Sequence, residues 1–217
     1  MARKRTSSRR SPYYKVPKQV SYANIGRKVY NDVYWIKKKL QKLNVEVKYH
    51  DVDNDGAVPA MSSTTPIILS GIAVGDTSQS RDGNSIKATG LDVRLQLTAH
   101  STAAQSVRVI LFMSKYGEGE TPAVTEILNS NTEFQAFRNI NHSKGYKILM
   151  DRTYATDPVH KAQVNIRRHF KINNHLKYDG TAATNHTYGQ YWLMLFSDET
   201  ANFCTYNLDT RLRYVDN

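Results

Sequence analysis

The sequence predicts an all-β fold, an eight-stranded antiparallel jelly-roll sandwich carrying a basic N-terminal arm and one amphipathic N-terminal helix. Three observations lead there. Apolar residues alternate at period two through most of the chain beyond residue 45, the connections are long, and no repeating strand–helix pattern calls for a parallel sheet.

Charge separates the arm from the rest. Residues 1–48 hold 14 of the 30 Lys and Arg but only two acids, Asp32 and Glu46, so 14 − 2 = +12. The other 169 residues hold 16 basic and 17 acidic side chains, a net −1. A segment this cationic repels itself, cannot build a core and seeks a polyanion. Neutralising phosphates with Lys and Arg releases condensed counterions, which predicts tight, salt-sensitive binding of nucleic acid without sequence readout. We place the boundary at 44/45, with residues 1–44 as the nucleic-acid-binding arm and helix and 45–217 as the β domain.

Within the arm, residues 1–23 are basic and punctuated by Pro12 and Pro17, and are read as ordering only on a partner. Their cations are Arg3, Lys4, Arg5, Arg9, Arg10, Lys15 and Lys18. Arg3, Lys4, Arg5, Arg9 and Arg10 also match, weakly, a nuclear-import signal. From Asn24 the pattern becomes helical: Ile25, Val29, Val33, Ile36, Leu40 and Leu43 fall within an arc of about 80° at ~100° per residue. Asn24 is the expected N-cap and Asn44 the expected stop. The remaining circumference carries Arg27, Lys28, Lys37, Lys38 and Lys42, interleaved with Tyr30, Tyr34 and Trp35. Cations meet phosphates and rings stack on unpaired bases, so these residues, Trp35 among them, are candidate nucleic-acid contacts; packing of the rings on the protein body is the competing reading.

Eight strands are predicted, at residues 45–52, 65–73, 85–100, 107–113, 146–154, 163–172, 189–197 and 203–215. In the last, Cys204, Tyr206, Leu208, Leu212 and Tyr214 share one face, opposite Asn207, Asp209, Arg211 and Arg213. Val164, Ile166, Phe170 and Ile172 likewise oppose Arg167, His169 and Lys171. Parity switches at Gly90, from Ile86 and Ala88 to Leu91, Val93, Leu95 and Leu97, predicting a β-bulge. Tyr191–Phe196 is apolar on both sides, as a central strand covered on both faces would be. Between strands, only 122–129 reads as helical. Jelly-roll connections alternate between two ends, so loops 53–64, 100–106, 155–162 and 198–202 should meet at one end, and 74–84, 114–145 and 173–188 at the other.

Several functions find no residues to carry them. A single Cys204 supports neither an internal disulfide nor a Cys-based zinc site. None of the seven His sits in a ligand motif, and no nucleophile elbow, phosphate loop or dinucleotide fingerprint is present, so no catalytic residue or cofactor is expected. Asp51, Asp53 and Asp55, followed by Gly56, imitate the first half of a calcium loop; the twelfth position is Ser62 rather than Glu, leaving a weak calcium candidate beside an ordinary Asx-rich turn. No run approaches the ~18 apolar residues of a membrane span and no signal-peptide core follows Met1, so no membrane insertion is expected and the chain is read as soluble and intracellular when made.

Taken in order, the basic arm, Val45-Glu46-Val47-Lys48-Tyr49-His50-Asp51, and Gly75…Arg81-Asp82-Gly83-Asn84-Ser85-Ile86 leading into Leu91-Asp92-Val93-Arg94 resemble the capsid proteins of small circular single-stranded DNA viruses. They are similar also to the related shell proteins of small satellite RNA viruses of plants. The resemblance implies a jelly roll, a homo-oligomeric icosahedral shell of roughly 60 copies, an inward-pointing arm that packages single-stranded nucleic acid, no enzymatic activity and an unspecified host receptor. It implies a virion protein that passes through the host nucleus during assembly. The arm is shorter and richer in Lys than the typical circovirus arm, which leaves both genome types open. A cellular nucleic-acid-binding β-barrel with a basic tail is the alternative; it would want aromatics on an exposed sheet face, where this sequence puts Arg94, Arg167, Arg211 and Arg213.

Overall fold

The computed structural model describes residues 22–43, 47–115, 120–184 and 186–216, with side chains given for 27–39 of the first span. The chain divides into two units, Met1–Asn44 and Val45–Asn217.

The first unit contains helix α1, Tyr22–Leu43. It begins three residues earlier than a cap at Asn24 implies, so Asn24 lies inside the first turn and is not its cap; Ala23, the strongest helix former, extends the helix backwards. The expected stop at Asn44 lies outside the described residues. Of the apolar stripe, Val29, Val33 and Ile36 are each more than half exposed in this unit.

The second unit is a two-sheet sandwich. Its strands are β1 (Val47–Ala57), β2 (Ile67–Ile68), β3 (Ser85–Thr98), β4 (Gln105–Ser114), β5 (Tyr146–Thr156), β6 (Gln163–Tyr178), β7 (His186–Tyr188), β8 (Gln190–Ser197) and β9 (Thr205–Asp216). One sheet has the order β1-β9-β3-β6-β7 and the other β2-β8-β4-β5. With the three-residue β7 set aside, these are the two interleaved four-stranded sheets of a jelly roll, in which most connections cross from one sheet to the other. A closed five-stranded oligonucleotide-binding barrel has a different topology, so the alternative architecture is not the one adopted.

All eight predicted strands exist, with altered ends. β2 shrinks to two residues: Pro66, which lacks a donor, bars an earlier start, and past its end Leu69 N–H still donates to Tyr191 O at 2.9 Å. β7 was not predicted; three residues in a polar, turn-rich segment carry no periodicity. Gly189 joins β7 to β8 at φ +80°, where an added Cβ would stand 2.6 Å from the His175 carbonyl oxygen, so only glycine fits. The predicted bulge is present: β3 slips register against both β6 and β9 between Ala88 and Gly90. This moves Leu91, Val93, Leu95 and Leu97 to the face already held by Ile86 and Ala88, and all six are buried.

The main core lies between the sheets, with Leu91, Val93 and Leu95 of β3 and Leu208 and Leu212 of β9 packed against Val109, Leu111, Leu193 and Leu195 of the other sheet. A second apolar layer coats the outer face of the four-stranded sheet. There Ile110, Phe112, Trp192, Met194 and Phe196 are covered by Ile127, Leu128 and Ala136. Ile127 belongs to α2, Val124–Ile127, the short helix expected within 122–129. This cover explains why every residue of β8 is buried.

Loop clustering follows the jelly-roll pattern at one end. Val58 N–H donates to Cys204 O, Ser197 N–H to Pro59 O, Ala99 N–H to Ala162 O and Asp198 N–H to Ser106 O, tying four connections together. At the other end Val74 N–H donates to Thr181 O and Tyr178 N–H to Asn84 O. The 114–145 connection departs from the expectation. It starts at that end, with Lys115 N–H on Gly145 O, then folds back over the sheet because its apolar residues need the Phe112–Trp192 surface.

Candidate nucleic-acid interface

Each unit carries an exposed cationic surface, and the nucleic-acid contacts expected from the sequence all belong to the first. On α1, all described side chains, 27–39, are exposed, among them Arg27, Lys28, Trp35, Lys37 and Lys38. Tyr34 and Trp35 meet edge to face with centroids 5.9 Å apart, and Lys38 Nζ sits 5.5 Å from the Tyr34 centroid and 5.4 Å from that of Trp35. Neighbouring positions one, three and four residues apart thus build a small platform on one side of the helix: two ring faces for bases and an ammonium for a phosphate. Trp35 remains 58 % exposed in this unit. Arg3, Lys4, Arg5, Arg9, Arg10, Lys15 and Lys18 lie outside the described residues, as does the side chain of Lys42.

On the β unit, the outer face of the five-stranded sheet is polar by strict alternation. Asp51, Asp53 and Asp55 of β1 stand opposite Arg211, Asp209 and Asn207 of β9; Arg94 of β3 stands between Arg167 of β6 and Asp209 of β9. The four arginines singled out in the sequence, Arg94, Arg167, Arg211 and Arg213, therefore share this face. Its centre is an open depression of about 580 Å³. Two of the arginines are already occupied. Arg211 makes a bidentate pair with Asp51, at 2.7 and 2.6 Å, and lies 4.8 Å from the Tyr49 ring centroid. The hydrogen bond from Arg211 holds Asp51 below the usual carboxylate range. Arg213 Nη2 donates to Asp92 Oδ2 at 2.5 Å, while His169 Nδ1 lies 2.7 Å from Asp92 Oδ1.

This geometry corrects the calcium candidate. Asp51, Asp53 and Asp55 are consecutive outward positions of the extended strand β1, spaced by about 7 Å per two residues, and cannot converge on one ion. Asp51 is also consumed by Arg211. Among the described residues, no three His, Cys, Asp or Glu are grouped to hold a metal.

Three arginines of the β unit escaped the sequence reading. Arg168 on β6 occupies an inward register position opposite Val93, yet it is exposed. Arg152 on β5 stands opposite Val109, also an inward position, and is exposed too. Arg138, from the covering loop, reaches Asp151 at 3.5 Å. The available signal was the gap at 168 in the otherwise regular apolar series 164, 166, 170 and 172.

Arg108, Asp151 and Lys48 are structural. Arg108 on β4 is buried, forks onto Asp151 at 2.9 and 3.0 Å, and donates to Phe134 O and Ala136 O, pinning the covering loop. Burial would raise the Asp151 pKa, but Arg108 and Arg138 outweigh it and the net direction is down. Lys48 pairs with Asp82 at 2.7 Å and Asp216 at 3.4 Å. Burial lifts the Cys204 thiol to about 11, so it is an inert core group.

Known proteins complete the picture. The capsid protein of Satellite tobacco necrosis virus 1 is 28 % identical over 117 residues, covering 54 % of this chain and 59 % of that protein. The chain thus spans about three fifths of the length of the curated relative it matches. Among solved structures, Desmodium yellow mottle tymovirus aligns over 79 % of this chain and 88 % of its own, with 7 % identity and a TM-score of 0.39. The 60-mer BFDV capsid protein aligns over 80 % and 93 %, with 7 % identity and a TM-score of 0.35. The family model of the satellite tobacco necrosis virus coat protein matches residues 24–217, from the first turn of α1 through the last strand, and the chain belongs to that family of viral coat proteins.

Proposed function

We propose that this chain is the structural subunit of a small virion: that its β units associate laterally into a closed icosahedral shell of roughly 60 copies, and that its arm packages single-stranded nucleic acid without reading sequence. The observation that carries this reading is the charge division, +12 in residues 1–48 against −1 in the rest, within a chain of a coat-protein family. Residues 1–23, which hold seven cations and no acid, precede the span matched by the family model. About 60 arms at this charge bring on the order of 700 positive charges inside a shell, which sets the scale of the genome they neutralise. Circular DNA is the genome proposed first and RNA is its competitor. Arg3-Lys4-Arg5 and Arg9-Arg10 would serve nuclear import during assembly.

The test is expression of the chain alone, followed by size exclusion with absorbance at 260 and 280 nm. Megadalton particles carrying nucleic acid support the proposal, and a nucleic-acid-free monomer or dimer defeats it. Digestion of the extracted nucleic acid with DNase or RNase assigns its type. Deleting residues 1–23 touches no strand and should leave particles or subunits that retain much less nucleic acid; equal content would remove the arm from the packaging role.

A further inference from the structure

A body of net −1 attracts a polyanion only where its charges segregate, and on the five-stranded sheet they do. The acids Asp51, Asp53 and Asp55 lie on β1 and Asp209 on β9, at one side of the sheet. Towards β6 the balance reverses. Arg94, Arg167 and Arg168 make no ion pair among the described residues, and Arg152 makes none either. Among the described residues that line the mouth between the two sheets, the one acid is Asp151, which Arg108 already holds with two hydrogen bonds.

The four unpaired arginines, continued by Arg138 on Asp151, form a continuous path. Arg168 lines the depression on the sheet's outer face and also a second one, of about 400 Å³, at the mouth between the two sheets. The mouth exists because β5 is the edge of its sheet, and β6 is an edge along residues 163–176, where β7 does not reach. Arg138, Arg152 and Arg168 rim it, with half-buried Leu149 and Phe170 beneath them. Guanidinium forks above an apolar floor with an aromatic ring suit a phosphodiester backbone whose unpaired bases can turn inward.

We propose that the edge of β6 is a second, folded binding site for single-stranded nucleic acid, running from Arg94 and Arg167 on the sheet face around Arg168 to Arg152 and Arg138 at the mouth of the sandwich. It rests on the packaging role proposed above and adds to the arm a contact of fixed geometry. Inward-pointing charge on an edge strand also discourages strand addition by other chains, and a pure edge guard is the reading this must beat.

The experiment uses the full chain and labelled oligo(dT) and oligo(U), with affinity measured by anisotropy across a salt series. Each lost phosphate contact on a single strand lowers the slope of log K against log salt by about 0.7. Arg152→Gln with Arg168→Gln should therefore flatten the slope by about 1.4, and Arg152→Lys with Arg168→Lys should restore it. Arg168→Gln alone, at a side chain already in solvent, serves if the double variant fails to fold, with an expected change of about 0.7. An unchanged slope in soluble Gln variants overturns the proposal, as does an unchanged slope accompanied by aggregation, which would mark an edge guard. Loss of slope in the Lys variants as well would show a structural role and overturn it too. Wild-type chain that shows no salt-dependent binding would sink the packaging reading itself, an outcome distinct from a wild type that binds steeply beside variants that match it.

Discussion

The Arg81 guanidinium stacks on the Tyr178 ring, 4.3 Å from its centroid, with Arg81 wholly buried and Tyr178 nearly so. Arg81 Nε donates to Ile72 O at 2.8 Å, Nη1 to Gly83 O at 2.6 Å and to Asn84 Oδ1 at 3.2 Å, and Nη2 to Gly180 O. One side chain thus ties the two ends of the 69–84 connection to each other and to the turn after β6. Burial lowers the pKa of Arg81 and raises that of Tyr178, but a guanidinium stays charged across the accessible pH range.

Replacing Arg81 should accordingly cost as much as breaking a buried charge network. A Lys at this position offers a point charge that cannot fork to four acceptors. We expect Arg81→Lys to lose about 3 kcal/mol, and the melting temperature to fall by about 10 °C. A melting temperature within a degree or two of wild type would show that the carbonyls find other partners.

Arg108 has the same role for the loop over the four-stranded sheet. Arg108→Ala leaves Asp151 half-buried without its main partner and frees the Phe134 and Ala136 carbonyls. The expected loss is about 3–5 kcal/mol, with new protease cleavage confined to residues 120–145. Proteolysis at the wild-type rate would mean that the apolar contacts of Ile127, Leu128 and Ala136 hold the loop unaided.

What the sequence revealed follows from periodicity. Alternating strands such as β9 and the parity switch at Gly90 are visible because one face is buried and the other wet, so burial writes itself into the residue order. β7 and the shortened β2 are fixed by hydrogen bonds to neighbours, which leave no period. The path of 114–145 was hidden because its apolar residues, among them Val124, Ile127, Leu128, Phe134 and Ala136, follow no regular period that would show which surface they cover. At the candidate interface, Arg94, Arg167, Arg211 and Arg213 were legible as one face. Their division into paired and free was not, since Asp51 and Asp92 reach their partners across strands 160 and 121 residues away. Arg152 and Arg168 were passed over because an inward position on a strand is read as core until the sandwich is seen to open there.

Two histidines predict an acid-sensitive body. Burial lowers the pKa of both His50 and His186 from 6.5, opposed by Asp51 at the first and by a backbone hydrogen bond at the second. A folded chain that binds protons less readily than the unfolded one has its full stability above about 6.5 and loses it as pH falls. Depressed carboxylates such as Asp51 and Asp151 add to the loss only at lower pH, from about 4 downward. The melting temperature should therefore fall between about pH 7.5 and pH 5. His186→Phe, which can preserve the edge-on ring contact with Trp192, should flatten that fall. Superimposable profiles for variant and wild type would exclude His186 as a contributor.

The apolar stripe of α1 gives the last prediction. Ile25, Val29, Val33, Ile36, Leu40 and Leu43 recur at the spacing of a short heptad seam, on a helix of 22 residues that is marginal in water by itself. Val29, Val33 and Ile36 are exposed within their own unit, so stable helix formation needs a partner surface that covers them. Stripes from symmetry-related copies would supply one: packing against each other would link subunits and leave Lys38 on the opposite side, with Lys37 and Trp35 on the flanks, for the genome. Charged groups placed in that seam would be buried without partners, which costs several kcal/mol per subunit contact. We expect Val33→Asp with Leu40→Asp to abolish particles in size exclusion while the β spectrum in circular dichroism stays that of the wild type. Particles of normal size and yield from the double variant would show that the stripe takes no part in assembly.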